Sequence, residues 1–359
     1  MDKRFIDENM IAAENNENGI SWHKVDSSHM DLYGIDASVE NSITYRIPES
    51  IAENCNNGVL DQCKYSAGVR LRFGTDSKTI CIRVEFGKYY EPLSVGCCCV
   101  FGFDLYKCEE DGYEVFRHLF RPPLNFDKKN LSNDPYTAKD VGFTYYTLNF
   151  PLFSEIKNLY IGIEDGSMLT NGMKYVNEFP VIFYGSSITH GAAASRPGNI
   201  YENFISQKYN LNYTNLGFAG SARGEESIAE YIAGRKMRAF VCDYDYNAPT
   251  DEYLRKTHYR FYEIIRKNNP DIPYIMISRP NYFHDVKKAE ATRKIIYESY
   301  KKALDSGDSN VYFIDGETLL QGDFMESCTL EGVHPNDFGF KRMADIIGKK
   351  VFEVINRDK

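Results

Sequence analysis

Val181-Ile182-Phe183-Tyr184-Gly185-Ser186-Ser187-Ile188-Thr189-His190-Gly191 decides how the second half of this 359-residue chain folds. Four apolar residues closed by glycine and two hydroxyls read as a strand buried on both faces, running into a turn and a helix start. Further apolar runs follow at 213–216, 239–242, 274–277 and 311–314. Between them lie stretches of helical period at 200–209, 225–234, 251–267 and 286–304, with a last one over 338–355. Strands and helices alternating in this way predict a three-layer α/β/α domain on a five-stranded parallel sheet, since right-handed crossovers leave little other choice.

Upstream the grammar differs. Ile80, Ile82, Val84 and Phe86 alternate, as do Val95, Cys97, Cys99, Phe101 and Phe103, and further strands are expected at 68–74, 143–150 and 159–163. Many short strands separated by Gly, Pro, Asn and Asp predict an all-β sandwich of jelly-roll type. A length of 359 residues suits two domains, at about 150 residues each. We divide the chain into a β-sandwich over 1–172 and an α/β domain over 173–359.

Composition narrows the partners. Hydrophobic residues at 43% and charged residues at 26% give a globular chain with no case for disorder. A net charge of -9 argues against a nucleic-acid partner, which needs a basic face to neutralise phosphates. The opening residues 1–10 carry charges with no apolar run behind them, and no later stretch approaches about 18 apolar residues. The expectation is a cytoplasmic protein with no membrane partner. Nine cysteines, three of them consecutive at Cys97, Cys98 and Cys99, point to reduced thiols, and their spacing matches no zinc site.

Ligands of parallel sheets bind beyond the carboxyl ends of the strands, so the strand exits carry the chemistry. After the first strand, Gly185 permits a sharp turn that exposes the Ser186 and Ser187 hydroxyls at a helix start, where free N–H groups can meet a developing oxyanion. A capped turn with no chemistry explains the same residues. The second exit, Asn215-Leu216-Gly217-Phe218-Ala219-Gly220-Ser221, is glycine-rich, which suits either close approach to a ligand or plain turn geometry. The third, from Asp243 to Pro249, offers the Asn247 amide and the carboxylates of Asp243 and Asp245, read as loop anchors rather than a metal pair. Before the last helix, Glu331 stands three residues ahead of His334. A loop of that length can return the carboxylate to Nδ1 and leave Nε2 free to take a proton.

Taken in order, Gly-x-Ser-x-x-Thr, Asn-Leu-Gly-x-x-Gly, Asn247 and His334-Pro335-Asn336 resemble the SGNH (GDSL-type) hydrolases, over residues 179–359. Gly102-Phe103-Asp104-Leu105-Tyr106 resembles the GxDLY signature of a two-domain subgroup whose β-sandwich precedes a flavodoxin-like hydrolase domain. By that resemblance Ser187 is the nucleophile, His334 the base and Glu331 the acid. The oxyanion donors would be the Ser187 N–H, Gly220 and Asn247. Two positions depart from the family pattern: Ser186 replaces the usual Asp, and Glu331 the usual Asp, with a longer reach.

The resemblance implies a serine esterase that needs no metal or organic cofactor. A polar, aromatic rim with no long apolar lid suits a short acyl group, acetyl foremost, on a small-molecule or oligosaccharide alcohol. His190, Arg223, Arg279 and Tyr246 are the candidate substrate residues, while His258 and His284 read as surface or satisfied histidines. A homo-oligomer stays open, and Trp22, Tyr89, Tyr90, Tyr106 and Tyr113 are available in the first domain for carbohydrate or for the core. Two rival classes remain: an anion-binding α/β module using 185–191, although no P-loop is present, and a catalytically dead carbohydrate-binding protein.

Overall fold

The computed structural model describes residues 19–26, 30–40, 42–132, 135–139, 142–280 and 283–357. The opening residues 1–10, read above for a leader, lie outside the described residues. Two antiparallel sheets form the first domain. One orders Ile20–Lys24, Ser154–Glu164, Thr79–Tyr89 and Asn130–Ser132; the other orders Leu169–Asn171, Arg70–Thr75, Thr144–Asn149, Phe103–Cys108 and Glu114–Phe120. Ile80, Ile82, Val84 and Phe86 alternate inward and meet Leu71, Phe73, Leu105 and Leu148 in one core.

The expected strand through Val95 to Phe101 is instead a short helix, Cys97–Phe101, and the strand begins only at Phe103. Over five residues, alternation does not separate a strand from a helical turn. Glycines bracket the turn at Gly96 and Gly102. A Cβ on Gly102 would come within 2.4 Å of the Cys98 carbonyl oxygen, so the exit from this helix requires glycine. All nine cysteines are unpaired.

The second domain is a five-stranded parallel sheet in the order Tyr213–Gly217, Val181–Gly185, Ala239–Asp243, Tyr274–Ile277, Val311–Ile314. Its three central strands are buried along their whole length, because helices cover both faces. Val181–Gly185 lies between the strands that follow it in sequence, with Gly185 opposite Gly217 on one side and Asp243 on the other. That position is the topological switch point of the sheet, where the exits diverge and open a crevice. Three exits therefore emerge side by side: 186–191, 218–223 and 244–249.

Residues of the first domain pack directly on the second. Ile47, Ala52, Val59 and Cys63 join the core under Ile182, Tyr184, Leu216 and Phe218. Asp104 accepts from Arg196 Nη1 at 2.7 Å and from the Gly198 N–H at 2.8 Å, and the Tyr106 hydroxyl meets the same guanidinium. The Gly102–Tyr106 signature is thus an interdomain clasp, which takes Tyr106 out of the aromatics available for carbohydrate. Among the described residues no helix is long and apolar enough to cross a membrane.

Candidate active site

The turn that follows Val181–Gly185 is built into the core. A Cβ on Gly185 would lie 2.1 Å from Thr189 Oγ1 and 2.3 Å from the Asp243 carbonyl, so only glycine lets the strand end this close to its neighbour. Ser186 is fully buried; its N–H donates to the Asp243 carbonyl and its hydroxyl caps the helix Ser187–His190 by accepting from the Ile188 N–H. A serine thus does the capping that an aspartate would do here. Beneath, the Tyr201 hydroxyl donates to Thr189 Oγ1 and Asn215 Nδ2 to the Thr189 carbonyl. Ser187 is the half-exposed residue at the first helical position, where its N–H has no intrahelical partner.

His334 comes from the far end of the chain to within 2.9 Å of Ser187 Oγ through Nε2. Glu331 Oε1 accepts from His334 Nδ1 at 2.9 Å, from the His334 N–H at 2.7 Å and from the Val333 N–H at 3.2 Å. With Nδ1 donating to the carboxylate, Nε2 holds the lone pair and accepts the Ser187 hydroxyl. Partial burial pushes the Glu331 carboxyl up, but the His334 backbone N–H, the His334 ring and the Val333 N–H outweigh it, and the group titrates below the usual glutamate range. The loop closes on itself: Thr329 bridges Pro335, the Leu330 N–H donates to the His334 carbonyl, and Asn336 caps the helix Asp337–Ile355. The longer reach of glutamate is thereby absorbed.

On the other side of Ser187, the exit 217–222 is stitched down. The Gly217 N–H donates to Asn215 Oδ1, that of Phe218 to the Gly185 carbonyl, that of Ala219 to His190 Nδ1, and those of Ser221 and Ala222 to the Phe218 carbonyl. The N–H of Gly220 has no acceptor among the described residues. Gly220 has φ of 69°, and nothing lies within 4 Å of a Cβ built there. Asn247, in the 3₁₀ turn Asp245–Asn247, gives one Nδ2 hydrogen to the Phe218 carbonyl at 3.1 Å and keeps the other. Three N–H groups, of Ser187, Gly220 and the Asn247 side chain, thus stand on three neighbouring exits of the sheet.

Several expected substrate residues are spent elsewhere. His190 is fully buried, stacked on Phe153 at 4.3 Å with Nε2 against the Leu152 carbonyl at 2.8 Å. Burial, and then the Arg46 charge, hold it well below the usual imidazole range. It cements the two domains and does not face a substrate. Arg279 gives Nε to Asp245 Oδ2 and Nη2 to the Asp245 carbonyl while lying over the Tyr246 ring, so it braces the third exit. Arg223 and Tyr246 stay half-buried. Tyr184, Phe218 and Ser278, at or next to the strand ends, are core residues. Asp245 anchors its loop as expected, whereas both carboxylate oxygens of buried Asp243 lack partners among the described residues and burial, with Asp245 beside it, pushes that carboxyl well up. Among the described residues no cluster of three His, Cys, Asp or Glu side chains could hold a metal ion. Sequence reading missed Arg46, Asn56 and Gln62, which reach the second exit from the first domain; no local pattern marks them.

Two family models match separate parts of the chain. Residues 178–352 match the model of the GDSL-like lipase/acylhydrolase family, and residues 20–169 match the GxDLY N-terminus of SGNH-hydrolase-type esterases. A candidate GDSL-like lipase from Bacteroides ovatus ATCC 8483 superposes with a TM-score of 0.83 at 24% identity, covering 94% of this chain and 98% of that one. The salicylyl-acyltransferase of a tetracycline biosynthetic pathway has a TM-score of 0.72 at 19% identity, covering 91% and 95%. An acetyl xylan esterase from the rumen bacterium Butyrivibrio proteoclasticus has 0.60 at 13% identity, covering 95% and 100%. At these identities the likeness is one of fold. No curated protein sequence matches the chain significantly.

Proposed function

The C-terminal half of this chain belongs to the GDSL-like lipase/acylhydrolase family and its N-terminal part to the GxDLY type that precedes SGNH esterases; from that premise we propose a serine esterase that removes a short acyl group, acetyl foremost, from a carbohydrate. The observation that carries the reading is the 2.9 Å approach of His334 Nε2 to Ser187 Oγ, with Glu331 holding the opposite ring nitrogen. Ser187 Oγ attacks the ester carbonyl while Nε2 takes its proton. The oxyanion that forms is met by the Ser187 and Gly220 N–H groups and by the free hydrogen of Asn247 Nδ2. His334 then passes the proton to the leaving alcohol as the carbon–oxygen bond breaks. A water, deprotonated by the same nitrogen, attacks the acyl-enzyme and releases the carboxylic acid and Ser187. Glu331 stabilises the imidazolium in both halves of the cycle, and no step calls for a metal or organic cofactor.

The acyl and alcohol parts rest on likeness of fold. Related folds include an acetyl xylan esterase and a family two carbohydrate esterase from Clostridium thermocellum in complex with cellohexaose. A second reading is favoured by the salicylyl-acyltransferase, whose fold matches this chain better than those esterases do: the same acyl-enzyme could be discharged by an alcohol instead of water. The test is a panel of acetylated oligosaccharides, aryl acetates and long-chain aryl esters, each with and without added alcohol acceptor, with Ser187→Ala as the blank. Acetate release from the oligosaccharides supports the proposal. Preference for long chains contradicts the short acyl group, and an ester product that grows with acceptor concentration selects transfer.

A further inference from the structure

The second exit is gripped from behind by the first domain. Arg46 Nη1 donates to the Gly217 carbonyl at 2.7 Å, Gln62 Nε2 to the Ala219 carbonyl at 2.9 Å and Asn56 Nδ2 to the Ser221 carbonyl at 3.0 Å. These are alternate residues, and the one whose N–H is left free, Gly220, sits between the last two. A peptide plane carries its N–H opposite its C=O, so fixing the carbonyl of Ala219 fixes the direction of the Gly220 N–H, which shares that plane. We propose that Asn56 and Gln62, from the N-terminal domain, are positioning residues that aim the Gly220 N–H at the oxyanion; the inference rests on the esterase reading above.

Three further observations support it. Gly58 has no room for a side chain, since a Cβ there would fall 1.9 Å from Ser221 Oγ, so the helix Asn57–Gln62 is seated hard against the exit. Asn56 works in two directions at once: Oδ1 accepts from the Gly58 and Val59 N–H groups while Nδ2 also reaches Glu225 Oε1 at 2.6 Å. Arg46 is fully buried, and its guanidinium donates to backbone carbonyls of both segments, those of Gln62 and Tyr65 on one side and Asn215 and Gly217 on the other. Such a cation holds both segments in register, because any slip would strand a buried charge.

Asn56→Asp keeps an oxygen for the helix cap but loses the donor to Ser221; Gln62→Met keeps the length of the side chain and loses the donor to Ala219. Both are compared with the full-length parent by turnover of 4-nitrophenyl acetate and by the rate of phosphonylation of Ser187 by a fluorophosphonate. Rates are expressed per titratable site, so that misfolded protein drops out. The expected result is a fall in kcat of about tenfold to a hundredfold, with KM nearly constant, a matching fall in phosphonylation and an unchanged shape of the pH–rate profile. Parent-like rates per site in both variants, whatever their melting temperatures, overturn the inference and leave the esterase standing. A parent that neither turns over esters nor takes the label removes the esterase reading and this inference with it.

Discussion

The two halves of the proposed reactive pair are held in opposite ways. Ser187 follows a strand buried on both faces, its turn is locked by Ser186, Thr189 and Asn215, and the neighbouring exits are tied to it by main-chain bonds from Phe218 and Ser186. His334 sits on an outer loop, with side-chain exposure of 25% for itself and 41% for Glu331. Its register depends on a three-pronged carboxylate and one isolated bridge. The hydroxyl is thus fixed by the fold, whereas the imidazole is fixed by its own loop, which meets the fold at the cap of the last helix. That loop has a second tie: Asp337, beside the cap, accepts from the Ser195 N–H at 2.8 Å and from Asn199 Nδ2 at 2.7 Å, in the same segment that Asp104 clasps.

This contrast orders the mutations by size. Ser187→Ala should lose about 10⁴-fold or more in turnover with an unchanged melting curve. Asn247→Ala, on the rigid side, should cost about 10²- to 10³-fold in kcat, read on the same ester. On the outer side, Glu331→Gln should cost about tenfold to a hundredfold, because an amide oxygen can still accept from Nδ1 but no longer balances an imidazolium. If Glu331→Gln proved as damaging as Ser187→Ala, the loop would be less self-sufficient than its bonding suggests. Asp104→Asn removes the charge under Arg196, and it should lower stability by about 3 kcal/mol, measured by denaturant titration, with only a few-fold change in rate.

Acid also acts on stability through a histidine outside the reactive pair. His258 is buried against Tyr244 in the α/β domain, and burial alone brings its ring down to about 4. The folded pKa is therefore depressed, the unfolded chain binds the proton first, and stability present above about pH 6.5 is lost as pH falls towards 4. His258→Phe should flatten that slope in thermal melts between pH 7 and 4 while leaving kcat per site unchanged.

How much of this was legible follows from the same physics. Every strand of the parallel sheet and each long helix was readable to within one residue at either end, because double-sided burial writes uninterrupted apolar runs. In the sandwich, Glu114–Phe120 escaped notice since its interior residues are only partly buried and do not alternate, and Cys97–Phe101 was mistaken for a strand. The order of the Ser187, Gly220, Asn247 and His334 blocks was legible as a resemblance. What the sequence does not write is which polar residues long-range packing consumes. His190 and Arg279 were expected to meet substrate, but their partners, Phe153 and Asp245, lie 37 and 34 positions away in the chain.

The central claim is that the imidazole from the outer loop activates the hydroxyl on the rigid turn. Its most direct test is the rate at which a fluorophosphonate labels the protein, with the modified peptide identified by mass spectrometry, in the parent and in His334→Ala. The account predicts a single label on Ser187 in the parent and a rate lower by about a thousandfold or more in the variant. Labelling at another residue, or equal rates in the two proteins, would contradict it.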